Sequence, residues 1–166
     1  MSRRLDHNGT PETIDPQVIE QFLSVHIPYR LAMLDFADEV FPPRSTRDSA
    51  FVEAAIVAGR LLLQFLGLGI DHRGGLRLVE RRSYFASNGC TDEIKIPDVG
   101  GRFVDIASLD SDTRKILAHY YNGASKASAH LTWDSGHQLD PDTLVRGIRT
   151  IHDLVSTHLP KHGTGT

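Results

Sequence analysis

The sequence predicts an all-α fold: a four-helix bundle with a long irregular insertion between its second and third helices. Three observations carry this reading. Apolar residues recur at three- and four-residue spacing in four separate stretches. These stretches open on Asp, Ser or Thr, and most end at Pro or Gly. Residues 70–108 lack that period and carry Gly74-Gly75, Asn88-Gly89 and Gly100-Gly101. A chain of 166 residues suits one domain. At that length about two-thirds of the unfolded surface is buried, so no disulfide or metal staple is needed.

Residues 1–14 are polar, contain Gly9 and Pro11, and read as a flexible N-terminal arm. Asp15-Pro16 then supplies an N-cap acceptor and a proline at the first helical position. Ile19, Phe22, Leu23, Leu31, Leu34 and Phe36 carry this helix to about Phe41, where Pro42-Pro43 stops it. Pro28, inside the run, predicts a kink or restart. Ser45 or Thr46 opens a second helix that reaches about Leu66 and stops at Gly67 and Gly69. It is apolar nearly all round, which predicts a place at the centre of the bundle. Residues 70–108 read as an excursion holding at most a small hairpin. Asp110 or Ser111 caps the third helix, which has Ile116, Tyr120, Ala124, Ala127 and Leu131 on its buried face. Asp140-Pro141 starts the fourth, which runs to Leu159. The domain is therefore expected over 15–159, with a tail at 160–166.

Composition removes several function classes. The single Cys90 excludes a cystine framework and a cysteine zinc site, and suits a reducing cytoplasm. Arg3 and Arg4 precede Asp6, His7 and Asn8, so no signal peptide is expected. Arg60 and Gln64 interrupt the most apolar run, Ala54–Leu66, so no membrane span is expected either. A net charge of -3 argues against a protein that coats nucleic acid generally. No phosphate-cradling glycine loop or Gly-x-Ser-x-Gly elbow occurs, and no cofactor is expected.

Nine histidines are the compositional anomaly. On the third helix His119 and His130 stand eleven positions apart, about three turns, and are nearly eclipsed. Gly123 and Lys126 share their line, with Lys115 and Asn122 beside it. Two imidazoles, an ammonium and an amide could hold a phosphate and move protons near neutral pH. The plainer reading is the solvated flank of an amphipathic helix. On the second helix Glu53, Arg60 and Gln64 form one narrow stripe. It is either a polar seam against another helix or, through Arg60, an anion ligand beside His119. His72, Arg73, Arg77, Arg81 and Arg82, followed by Tyr84 and Phe85, could join phosphate contact to base stacking, or form a solvated loop. Metal binding would need His26, His119, His130 and His152 to converge with a carboxylate. No Glu-x-x-His spacing supports it, and no metal is expected.

Arg114-x4-His119 on the third helix, with Arg146-x5-His152 on the fourth, resembles the Arg-x4–6-His signature of the HEPN superfamily of small all-α bacterial proteins. The resemblance extends over the helical order from about Asp15 to Leu159. Many HEPN proteins are metal-independent ribonucleases of toxin or defence systems, whose motifs from two subunits meet at a dimer interface. Others are binding modules. The resemblance implies His119 as the proton-transfer residue for a ribose 2′-hydroxyl and Arg114 as the clamp on the phosphorane. Lys126, His130, Asn122 and Arg60 would support them, and Arg146 with His152 is the alternative pair. The family often has a supporting polar residue directly after the arginine; here Lys115 or Gly147 stands there, a departure. The leading expectation is a HEPN-like homodimer that cleaves or binds RNA, its subunits joined by apolar surface of the first or third helix. The alternative is a non-enzymatic interaction module, antitoxin-like or accessory, docking a protein partner. In that case Arg114 and His119 point to separate surfaces. A metal-binding bundle ranks third.

Overall fold

A computed structural model describes residues 2–85, 88–129 and 139–160. It is predominantly helical and also contains two small antiparallel sheets. The first helical stretch is continuous: α1 (Pro16–Gln21), a π-turn (Phe22–His26) and α2 (Ile27–Val40). Asp15 accepts the Gln17 amide at 2.9 Å, so the predicted cap is present. Pro28 has no N–H to give the Ser24 carbonyl, and its ring crowds that oxygen. The chain widens one turn earlier instead, with the Ile27 N–H reaching Phe22. The expected kink therefore takes the form of a π-turn.

Helix α3 (Thr46–Phe65) starts on Ser45, whose hydroxyl accepts the Asp48 amide at 3.1 Å. Past it, Gly67 takes a positive φ of 79° and turns the chain into β2 (Leu68–Asp71). β2 pairs antiparallel with β3 (Arg77–Glu80), Leu68 opposite Glu80 and Asp71 opposite Arg77. Gly74 and Gly75 supply the left-handed backbone at the tip of this hairpin. β1 (Arg3–Arg4) pairs with β4 (Cys90–Thr91). Two 3-10 turns, Ile96–Val99 and Ile106–Ser108, lead to α4 (Ser111–Ala129) and then α5 (Pro141–His158).

α3 is the hub, packing against α2, α4, α5 and β2. Leu34, Leu62, Leu63, Leu117 and Ile151 fill the core between the helices, and Leu68, Ile96 and Val104 bring the insertion into it. Tyr120 is fully buried at the centre and donates to the Ala55 carbonyl at 3.1 Å. A Cβ at Gly59 or at Gly147 would collide with its ring, so both helices need glycine there to approach α4. Burial holds the Tyr120 phenol well above its ordinary pKa.

Three expectations are corrected. The fold is not purely α, because residues 70–108 hold a hairpin, a strand and two 3-10 turns. The arm is not loose, since β1 adds to β4 and the Arg3 guanidinium meets Asp98 at 3.1 and 3.3 Å. Asp98 also accepts the Tyr84 hydroxyl and the Lys95 amide, each at 2.8 Å. The Lys95 ammonium, 4% exposed, reaches the Arg81 carbonyl at 3.2 Å. This polar lock stands in for the apolar content that the segment lacks. Finally, α3 is not buried all round, as described below.

Candidate functional site

On α4 the flank predicted from the histidine spacing faces water at its N-terminal end and is covered at Gly123, where Leu139 packs on it. Lys115 and His119 are exposed, and Asn122 and Lys126 are half-buried along the same line. Arg114 is exposed in the first turns of α4. Five residues place its side chain about 140° round the helix from His119, so one α4 does not aim both at one phosphate. Neither makes a side-chain hydrogen bond or ion pair with the described residues. His130 lies outside the described residues.

The alternative pair sits on the outer face of α5, where both side chains lie beside carboxylates. Arg146 pairs with Asp112 of α4 and, at 3.3 Å, with Asp142 one turn back. The bond from Asp112 raises its pKa further above the ordinary guanidinium value. His152 lies 3.5 Å from Asp35 of α2, and Arg149 binds Asp38 at 2.9 Å. Six residues set Arg146 and His152 about 120° apart.

Arg60 belongs to the seam between α3 and α4. Its guanidinium lies over the Tyr121 ring at 5.7 Å, and the Gln64 side chain donates to the Tyr121 hydroxyl at 2.9 Å. Tyr121 is about 200° round α4 from His119, so Arg60 does not join the histidine flank. In the hairpin, Arg77 is bound to Asp71 at 2.8 Å and Arg82 to Glu80 at 2.9 Å. Tyr84 is occupied by Asp98, and Phe85 is 79% exposed. Among the described residues no three histidine, cysteine or acidic side chains converge as metal ligands, and no helix is long and apolar enough to cross a membrane.

The feature missing from the sequence reading is on α3. Ala50, Ala54, Val57 and Leu61 are all exposed, the last two at 38% and 41%. With Arg47 before them and Gln64 after, they follow the 3-4-3-4-3 spacing of a coiled-coil seam. Val57 is about 160° round the helix from Ala55 and Gly59, which meet Tyr120, so the apolar part of the seam faces away from α4, while Gln64 at its end turns to Tyr121. α2 runs antiparallel alongside, as the ring pairs Phe36–Phe51 (4.6 Å) and Phe22–Phe65 (5.5 Å) show. Tyr29 and Val25, 61% and 53% exposed, add further apolar surface on that first helical stretch. A cleft of about 310 Å³ closes the C-terminal end of the seam, with Arg30, Leu61, Gln64, Asp92 and Glu93 among its walls.

No family model, curated protein or solved structure matches this chain. The functional reading therefore stands on geometry. The 3-4 spacing of the α3 seam was already present in the sequence. It was masked because the buried positions of the same helix are apolar too, and together they gave a pattern that reads as full burial.

Proposed function

We propose that this protein is a non-enzymatic helical interaction module, antitoxin-like or accessory, whose working surface is the exposed apolar seam of α3. The observation that carries this is four apolar side chains at coiled-coil spacing left facing water on the hub helix. The carboxylates beside Arg146 and His152 support the same reading. Purified protein incubated with single-stranded RNA in EDTA leaves it intact, and His119→Ala behaves like wild type. RNA cleavage that His119→Ala abolishes would overturn the proposal.

One observation favours the second reading, a HEPN-like ribonuclease or RNA-binding protein. His119 and Lys115 stay exposed beside Asn122 and Lys126 with no carboxylate bound to them among the described residues. That reading requires the α4 helices of two subunits to face one another, so that Arg114 and His119 converge across the pair. The α3 seam faces the other way.

A further inference from the structure

The order of residues along the α3 seam is self-complementary. It begins with Arg47, has the small Ala50 and Ala54 in its first half and the larger Val57 and Leu61 in its second, and ends at Gln64. Its midpoint lies between Ala54 and Val57, and its length from Arg47 to Gln64 is about 25 Å. A second copy turned end for end about that midpoint sets Ala50 against Leu61 and Ala54 against Val57. Each large side chain then meets a small one, as close helix pairing requires. A parallel copy would set Leu61 on Leu61, leave a gap at the alanines and bring the two Arg47 side chains together.

The charges at the ends follow the same order. In the antiparallel pair Arg47 lies opposite Gln64 of the second copy, at the cleft whose walls carry Asp92 and Glu93 together with Arg30 and Lys95. Lys95 is paired with Glu93 at 3.5 Å, and Arg30 donates to the His26 carbonyl. Arg47 is exposed, its guanidinium 5.6 Å from the Phe51 ring centre, and Asp92 is exposed at the cleft. Neither takes part in an ion pair among the described residues. One two-fold axis satisfies both ends at once, the condition for an isologous interface.

We propose that α3 pairs antiparallel with α3 of a second copy of this chain, forming a two-fold homodimer in which Arg47 of each subunit meets Asp92 of the other. This rests on the reading of the seam as the working surface and names its occupant. The surface then functions by joining two copies, and Ala50, Ala54, Val57 and Leu61 become buried.

Sedimentation velocity of the full chain over a range of concentrations tests this. Wild type sediments as a dimer. Leu61→Asp raises the dissociation constant about 100-fold, on the scale of a central interface residue, while circular dichroism and the urea midpoint stay at their monomer values. Val57→Lys replaces it should Leu61→Asp lose helicity. Arg47→Asp and Asp92→Arg each weaken the dimer about tenfold, and the double exchange restores it. A monomer at every concentration overturns the second copy as occupant and leaves the broader reading to its own test. A dimer indifferent to Leu61→Asp and Val57→Lys overturns both. A Leu61-dependent dimer that the double exchange does not restore overturns the antiparallel register.

Discussion

The outer faces of α5 and α3 are built from opposite materials. α5 buries Leu144, Ile148, Ile151 and Val155 on one side. Its other side carries Arg146, Arg149 and His152, each beside a carboxylate of α2, α4 or its own preceding turn. Its apolar stripe is used up within the subunit, and its charges tie it to its neighbours. α3 buries Val52, Ala55, Leu62 and Leu63 and still presents Ala54, Val57 and Leu61 to water. A helix with one apolar stripe is completed by the fold of its own chain. A helix with two keeps a stripe that a surface from outside can cover.

The largest expected effect separates neighbours on α3. Leu62→Ala removes a fully buried side chain and lowers unfolding stability by about 3 kcal/mol, read from urea denaturation. Leu61→Ala, one residue away, changes monomer stability by less than about 0.5 kcal/mol and weakens association instead. If both substitutions act equally on stability, the seam is part of the core and the contrast with α5 fails.

The helix starts give a smaller effect. Asp140→Ala removes the N-cap of α5 and costs about 1 kcal/mol in the same assay. The cap carboxylates of α4 and α5 also differ from Ser45 of α3 in being titratable. The Thr113 side chain, with backbone amides, holds Asp110 below its ordinary pKa, and Thr143 does the same for Asp140. A carboxylate lowered in the folded state stabilises fully above the ordinary aspartate value, about 3.9. That contribution is lost as the pH falls through the lowered values. Amide protection factors, corrected for the intrinsic exchange rate, should therefore fall at the starts of α4 and α5 before the start of α3 as pH falls below about 4. The reverse order would contradict the cap assignments.

The smallest effect belongs to the α5 face. Arg149→Ala breaks an exposed pair with Asp38, so its effect on stability is slight and fades in high salt. It leaves the sedimentation of the protein unchanged. A change in assembly state would move the working surface from α3 to α5.

The helices were legible because their signals are local. Asp15-Pro16, Ser45 and Asp140-Pro141 mark starts that the structure reproduces, and the hydrophobic period gives the faces of α4 and α5. The docked arm was not legible. Its polar composition resembles that of an unstructured tail, and its main partner is 95 residues away, Arg3 on Asp98. The insertion hid for a related reason: Lys95, Asp98 and Tyr84 hold it by hydrogen bonds, which leave no period in a sequence. For the candidate site, spacing located the histidine flank and the polar seam of Arg60. The same spacing sets Arg114 off that flank, whereas the outward turn of an apolar stripe of α3 is seen only in the packing.

The most direct measurement compares two single-cysteine proteins in a Cys90→Ser background, each treated with a short bis-maleimide cross-linker. Val57→Cys lies beside the proposed two-fold axis and is predicted to give a covalent dimer at low concentration. His119→Cys, on the flank that a HEPN-type pair would join, is predicted to remain monomeric. Cross-linking at 119 with none at 57 would contradict the account.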